Sequence, residues 1–481
     1  MTLDQGLKTV DIIQFSNMIK NSKTKLTSTP PLRASWEGLG LGRLLIISIF
    51  ILPFILNAQE TYDLKRCIEI GLERNYQIKM IRNAQQISDN NATIGNAGFL
   101  PTLDLSAGYS GTLNNTEQYP SANDNVISNA NVNNQVVNAG LNLNWMLFNG
   151  FSVLTNYNRL KELQAFGELN TRLTIENFIA NISTEYYNYI QQTIRMKNLQ
   201  SAVKLSKERL RIVESRYNIG NLSRLDFQQA KVDFNSDSSK LIIQKEILFA
   251  SRVKLNQLMA LDDIDSFLIP SDSVIVMELL MEKQDVWKET LQSNTLLLLA
   301  EKEKNVSLLD LRAAQSQNLP YLRLNAGYGY SHNTYEYSTY RRQDQLGLNY
   351  GLTLGYNLFN GLNRVREQRN AKTQVQNKEL EYKELELAVK SNFFNIWMAY
   401  QNNMELTNLE EENVHVAREN HEIAIERYKL GDLSGIELRE AQNSLLEAEE
   451  RLVQAQYNTK LCEISLMQIS GQITELLAGE I

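Results

Sequence analysis

Phe99-Leu100-Pro101-Thr102-Leu103-Asp104-Leu105-Ser106-Ala107-Gly108-Tyr109 recurs 219 positions further on as Asn318-Leu319-Pro320-Tyr321-Leu322-Arg323-Leu324-Asn325-Ala326-Gly327-Tyr328. In both copies a Leu-Pro step is followed by apolar residues alternating with polar or small ones, the period of two of a strand with unlike faces. The same offset carries Leu72 onto Leu291 and Asn75 onto Asn294, so the repeat reaches back beyond the strand. Downstream, Gly140-Leu141-Asn142-Leu143 and Leu147-Phe148-Asn149-Gly150 return as Gly351-Leu352-Thr353-Leu354 and Leu358-Phe359-Asn360-Gly361 at an offset of 211. Arg216-Tyr217, Gly220 and Leu222-Ser223 return at that offset as Arg427-Tyr428, Gly431 and Leu433-Ser434. A single change of offset places the variable segment in a loop between the blocks, where length costs little. The chain therefore reads as an internal duplication, residues 59–270 and 271–481, each ordered helix, strand, loop, strand, long helix, turn, helix.

All four strands share one pattern. Val137, Ala139, Leu141, Leu143, Trp145 and Leu147 alternate with Asn138, Gly140, Asn142 and Asn144. Leu346, Leu348, Tyr350, Leu352, Leu354, Tyr356 and Leu358 alternate with Gly347, Asn349, Gly351, Thr353 and Gly355. Each strand has the roughly 10 residues that a tilted strand needs to cross a bilayer. Aromatic residues on the apolar faces and Asn, Gly, Ser and Thr on the others favour a barrel wall over a half-buried soluble sheet. Two hairpins cannot close such a wall, because open edges in hydrocarbon leave backbone groups unpaired. Two copies would supply eight strands around a filled lumen, three copies twelve strands and room for a channel.

From 151 to 219, and again from 362 to 430, no proline interrupts stretches dense in Leu, Ile, Glu, Gln, Lys and Asn. Such a helix would be roughly 100 Å long at 1.5 Å per residue. Leu199, Val203, Ser206, Leu210, Val213 and Tyr217 recur at three and four, the mark of a helix packed along a seam. Gly220 and Gly431 fall where C-terminal caps belong, with Ser223 and Ser434 placed to cap the returning helices. The expected fold class is mainly α with transmembrane β, in which long α-helical hairpins form a coiled-coil tunnel below four β-strands per chain.

Composition narrows function. A net charge of −7 over 481 residues, with no dense Lys/Arg tract, argues against nucleic-acid binding. Cys67 and Cys462 are too few and too far apart for a disulfide scaffold or a metal site, and read as structural thiols. His332, His415 and His421 are the only histidines, and no nucleophile elbow, Walker, zinc or dinucleotide motif accompanies them. No catalytic, cofactor-binding or metal-binding residues are therefore assigned, and the chain reads as a non-enzyme. Leu44–Leu56 is the one strongly apolar run, too short to span a bilayer as a helix and preceded by Arg43. It reads as the core of a signal peptide within a presequence, 1–58.

With its duplicated Leu100-Pro101 and Leu319-Pro320 steps, Leu-Phe-Asn-Gly blocks and Tyr-x-x-Gly turns, the chain resembles the TolC-like outer membrane efflux protein family from about Tyr62 to Gln472. The resemblance implies a homotrimer with a twelve-stranded barrel in the outer membrane lipid and a helical tunnel extending into the periplasm. It also implies two partners, a periplasmic adaptor (membrane fusion) protein and an inner-membrane pump of RND or ABC type. The turns at Gly220-Asn221 and Gly431-Asp432 would meet the adaptor. Glu437 and Glu440 would line the periplasmic aperture, with Asp226 in the matching place after the first turn, where the family pattern pairs such an acid with a tyrosine like Tyr428. A basic residue often found beyond the second turn is Leu433 here. Three symmetry-related copies of the Glu437 and Glu440 carboxylates would attract cations and repel one another. The competing reading is an exported periplasmic coiled-coil structural or adaptor protein without a barrel.

Overall fold

A computed structural model describes residues 61–119, 121, 126–272, 274–277 and 282–478. The presequence, with Leu44–Leu56, lies outside the described residues. Each repeat opens with two helices, α1 (Leu64–Arg74) and α2 (Tyr76–Asn91) in the first and α5 (Lys283–Ser293) and α6 (Thr295–Ser316) in the second. Strands β1 (Thr102–Gln118) and β2 (Ile127–Asn149) lead into α3 (Ser152–Asn218) and α4 (Arg224–Leu258). Strands β3 (Tyr321–Thr334) and β4 (Arg342–Gly355) lead in the same way into α7 (Asn363–Leu430) and α8 (Gly435–Ile469). The long helices α3 and α7 have 67 and 68 residues, the lengths that the proline-free stretches predict.

Each opening helix is two, and Asn75 and Asn294 are the reason. The Asn75 side chain accepts from the amides of Gln77 and Ile78 and donates to the Leu258 carbonyl at 3.1 Å. Asn294 accepts from the Leu297 amide and donates to the Ile469 carbonyl at 2.8 Å. One side chain thus caps the start of α2 or α6 and ties off the end of α4 or α8.

The four strands form one antiparallel sheet in the order β1-β2-β3-β4. Its register puts Leu105, Leu141, Tyr328 and Leu348 in one row, and Leu103, Leu143, Ala326 and Tyr350 in the next row on the same face. The opposite face carries Ser106, Gly140, Gly329 and Gly347, then Asp104, Asn142, Gly327 and Asn349. The apolar face is bare in the single chain, Leu105 being 78% and Tyr350 82% exposed. Among the described residues nothing pairs with the outer edges of β1 and β4.

The first-repeat loop is shorter than the sequence suggests. The ladder of β1 and β2 continues past the last alternating apolar residues, with a bulge at Asn114/Thr116, as far as Gln118 opposite Ile127. The loss of alternation there marks polar residues on both faces, and backbone pairing does not require an apolar face.

The buried core lies in the helical part. Ile68, Ile78, Ile179, Ile182, Tyr186, Leu255 and Met259 of the first repeat form one cluster together with Ile464, Met467 and Ile473 of the second, and Phe393, Trp397, Tyr400 and Leu466 form another within the second repeat. Between the repeats stands Glu176, 1% exposed, which takes Arg172 Nε at 2.7 Å and the Thr295 hydroxyl at 2.8 and 2.9 Å. Cys67 and Cys462 are both free, as expected of structural thiols.

Candidate functional site

The far ends of the two helical hairpins hold most of the residues singled out from the sequence. Gly220 and Gly431 are both left-handed, with φ of 82° and 91°. Beyond them Asn221 and Asp432 donate their amides back to the carbonyls of Arg216 and Arg427 at 2.8 and 3.0 Å, closing each long helix. Asn221 and Asp432 are exposed.

Each returning helix begins with a capping box. Ser223 Oγ accepts from the Asp226 amide, and the Asp226 carboxylate accepts from the Ser223 amide at 3.1 Å and hydroxyl at 2.7 Å. Ser434 and Glu437 repeat the pattern, the carboxylate accepting from the Ser434 amide at 2.9 Å and hydroxyl at 2.7 Å. These bonds to Ser434 hold the Glu437 carboxyl below the usual carboxylate range, with a smaller contribution from the nearby positive charge of Arg427. Glu440, one turn further along α8, is exposed and takes no part in the cap.

Asp226 and Tyr428 are not brought together by a hydrogen bond among the described residues. Asp226 is occupied by Ser223, while Tyr428 is buried with Ala424, Leu438 and Ala441, and Leu433 packs against that cluster. The Arg216 guanidinium lies 5.6 Å from the centre of the Tyr428 ring, a cation–π contact from one hairpin to the other.

Four charged residues that sequence reasoning passed over bind the hairpins together above the tip. Arg439 on α8 donates through both terminal amino groups to the two oxygens of Asp237 on α4, each at 2.7 Å. Asp237 is 1% exposed and Arg439 15%, and this pairing raises the Arg439 pKa. Arg209 on α3 is ion-paired with Asp233 on α4 and reaches the Gly435 carbonyl at 3.4 Å. A signal for them existed in the duplication. At the offset of 211 their counterparts are Gln228 for Arg439, Ala448 for Asp237, Asn420 for Arg209 and Ser444 for Asp233, so all four charges belong to one repeat only.

The long helix α7 carries two seven-residue stripes. Phe393, Tyr400, Thr407, Val414, His421 and Tyr428 are buried. Leu380, Leu387, Phe394, Leu409, Val416, Ile423 and Leu430 are 44–77% exposed, and all but one of the steps between them are seven or a multiple of seven. A helix with a second, uncovered heptad stripe has a face for another helix. Large aliphatic side chains also stand out at the tip itself, Ile219 at 71%, Leu225 at 76%, Leu430 at 77% and Ile436 at 75% exposure.

No group of three or more His, Cys, Asp or Glu side chains among the described residues could hold a metal ion. Nor is any described helix long and apolar enough to cross a membrane. What the arrangement offers is a polar sheet face, capped helical ends with exposed carboxylates, and uncovered apolar seams.

Residues 68–260 and 286–472 match the profile of a family described as outer membrane efflux protein. The outer membrane protein TolC of Vibrio cholerae is 20% identical over 413 residues, covering 84% of this chain and 89% of that protein. The structure is similar to that of the Campylobacter jejuni CmeC outer membrane channel, with a TM-score of 0.72 at 17% identity over 87% of this chain and 89% of that one. It is also similar to the Vibrio cholerae outer membrane protein VceC, with a TM-score of 0.69 at 18% identity over 85% of this chain and 96% of that one.

Proposed function

The chain belongs to the outer membrane efflux protein family, and on that premise we propose that three copies close one twelve-stranded barrel and one helical tunnel. The protein is an outer-membrane efflux channel and not an enzyme. The observation that carries the trimer is the sheet, which among the described residues has two unpaired edges and one face that is apolar from the helix junction up to the row of Ala107 and Leu346. Joining β4 of one copy to β1 of the next satisfies the backbone at both edges, and lipid covers the apolar face. The second stripe on α7 supports the same arrangement, since a neighbouring copy would cover it. A coiled-coil protein without a barrel would leave that sheet face in water, which disfavours the alternative.

The strands meet the helices at one end and are joined by hairpin loops at the other, so the helices extend to the periplasmic side. There the turns at Gly220-Asn221 and Gly431-Asp432, flanked by the exposed Ile219, Leu225, Leu430 and Ile436, receive a periplasmic adaptor. An inner-membrane pump of RND or ABC type feeds the duct through it. Glu440 lines the aperture with Glu437, whose carboxylate also serves the cap of α8. Asp226 caps the first hairpin beside them, and Tyr428 anchors the second against Arg216. Three copies of each carboxylate make the entrance cation-attracting.

Planar-bilayer recording tests this reading. The purified protein should form heat-modifiable trimers that conduct with cation preference, and Glu437→Gln with Glu440→Gln should remove most of that preference. A protein that stays monomeric and soluble without detergent overturns the channel. Unchanged selectivity in the double variant overturns the aperture assignment alone.

A further inference from the structure

The outward face of the sheet changes character at one level. Below that level it is greasy throughout. At the junction with the helices stand Leu147, Phe151, Tyr356, Leu358 and Phe359, with exposures from 42% to 83%. Above them, rows of Leu, Tyr, Trp and Ala side chains continue to Ala107, Ala139, Tyr330 and Leu346. The next outward row holds Tyr109, Val137, His332 and Asp344, and Arg342 follows opposite Thr334. From Leu354 to Leu346 the strand rises ~27 Å, which at a tilt of ~40° is ~20 Å of height and, with the aromatic junction, makes up the ~25 Å apolar band of such barrels. The charged residues therefore begin where hydrocarbon ends, on the side of the hairpin loops.

These charges are confined to the membrane-facing side. At the same levels the opposite face carries Gly108, Asn138, Ser331 and Gln345, then Ser110, Val136, Asn333 and Gln343, none of them charged. A solute in the lumen does not meet His332, Arg342 or Asp344.

The cluster is ordered around Asp344. Its Oδ1 accepts from the Tyr330 hydroxyl at 2.7 Å and lies 2.5 Å from His332 Nδ1, while Oδ2 accepts from Arg342 Nε at 2.7 Å. The carboxylate is thus spent on orienting its neighbours. Arg342 remains 65% exposed, and a tether through Nε leaves the guanidinium further N–H donors in the planar geometry that matches an oxyanion. Directly below lie Tyr328, Leu346 and Leu348, an apolar wall of the kind that acyl chains cover. A partner for this place needs an anionic oxygen-rich head and hydrocarbon tails.

We propose that Arg342, tethered by Asp344 and flanked by His332 and Tyr330, binds the phosphate of an outer-leaflet lipid whose acyl chains lie along Tyr328, Leu346 and Leu348. The inference rests on the barrel reading given above. Delipidated wild-type trimer in detergent is titrated with an acylated, bis-phosphorylated glucosamine disaccharide, with the same lipid after dephosphorylation, and with inorganic phosphate, and bound lipid is counted by native mass spectrometry. The phosphorylated lipid should bind about tenfold more tightly than the dephosphorylated one, and Arg342→Gln should lose about that factor, the worth of a charge-assisted contact. Arg342→Lys should keep part of the preference, and millimolar inorganic phosphate should not displace the lipid. Equal binding of both lipids, or of the phosphorylated lipid by wild type and Arg342→Gln, overturns the proposal, provided that the variant still runs as a heat-modifiable trimer. Full displacement by inorganic phosphate overturns it too, by making the site one for a free anion. A wild-type chain that forms no detergent-dependent trimer defeats the barrel reading before any lipid is added.

Discussion

Replacing Asp237 with Ala removes the acceptor of the bidentate ion pair that, among the described residues, joins the two helical hairpins above the tip. Arg439 would then be left 15% exposed with two terminal amino groups unpaired, in a site built around a carboxylate. Breaking a buried pair by deleting one partner costs about 3–5 kcal/mol, because the surviving charge stays desolvated. The lower figure applies here, since Arg439 retains some access to water and Arg209 still reaches the Gly435 carbonyl. About 3 kcal/mol multiplies the population of the separated hairpins by more than 100. Limited proteolysis of the trimer at the two turns reads that population directly when opening is fast relative to cleavage. Asp237→Ala should therefore be cut about 100 times faster than wild type at either turn. Asp237→Leu combined with Arg439→Met, which removes both charges and fills their space, should be cut at nearly the wild-type rate. The reasoning is refuted by cleavage of Asp237→Ala within twofold of wild type, or by a double variant as labile as the single one.

Ser434→Ala should cost about 1 kcal/mol at the start of α8, seen as amide exchange about five times faster over residues 435–440 with the Ser223 cap unchanged. Gly431→Ala meets open space and should cost only the ~1–2 kcal/mol of a left-handed backbone, whereas Gly150→Ala would overlap the Ser316 carbonyl oxygen and should abolish trimer assembly on a gel. His421 is buried between α7 and α8, and burial lowers its pKa against the opposing pull of Glu422 and Glu449. The unfolded chain therefore binds the proton more readily, so the stability His421 contributes is complete above about pH 6.5 and is lost as pH falls toward its folded pKa. The protection of amides 415–430 against exchange, taken relative to the intrinsic exchange rate at each pH, should fall between pH 7.5 and 5 in wild type and not in His421→Gln. Burial pushes the Cys67 thiol up to about 12, ahead of the effects of Asp63 and Asp272, so iodoacetamide at pH 8 should modify it only after unfolding, as counted by mass spectrometry.

Much of this protein was legible from short stretches. A period of two marks a strand with unlike faces, apolar residues at three and four without proline permit a long helix, and Gly followed by Ser-x-x-Asp or Ser-x-x-Glu is a complete local instruction for stopping one helix and starting another. These features depend on neighbours within about four residues, so the string of letters suffices, and the duplication states each of them twice. The paired Asn75 and Asn294 were visible as equivalents, but their work was not. Each reaches the end of a helix more than 170 residues away, and nothing local announces that.

Tertiary structure decided what distance in the chain conceals. Asp237 and Arg439 look like ordinary charges on solvated helix faces until α4 and α8 lie side by side, and then desolvation makes each the only adequate partner for the other. Tyr428 is one aromatic among 21 tyrosines until Arg216 of the other hairpin covers its ring. His332, Arg342 and Asp344 acquire a common environment only when strand register places them in adjacent rows above the apolar band. Periodicity determined which surfaces must be covered, because that is set by the backbone's own geometry; the choice of which charges meet was left to packing, because Coulomb and desolvation energies depend on separation in space and not on separation in sequence.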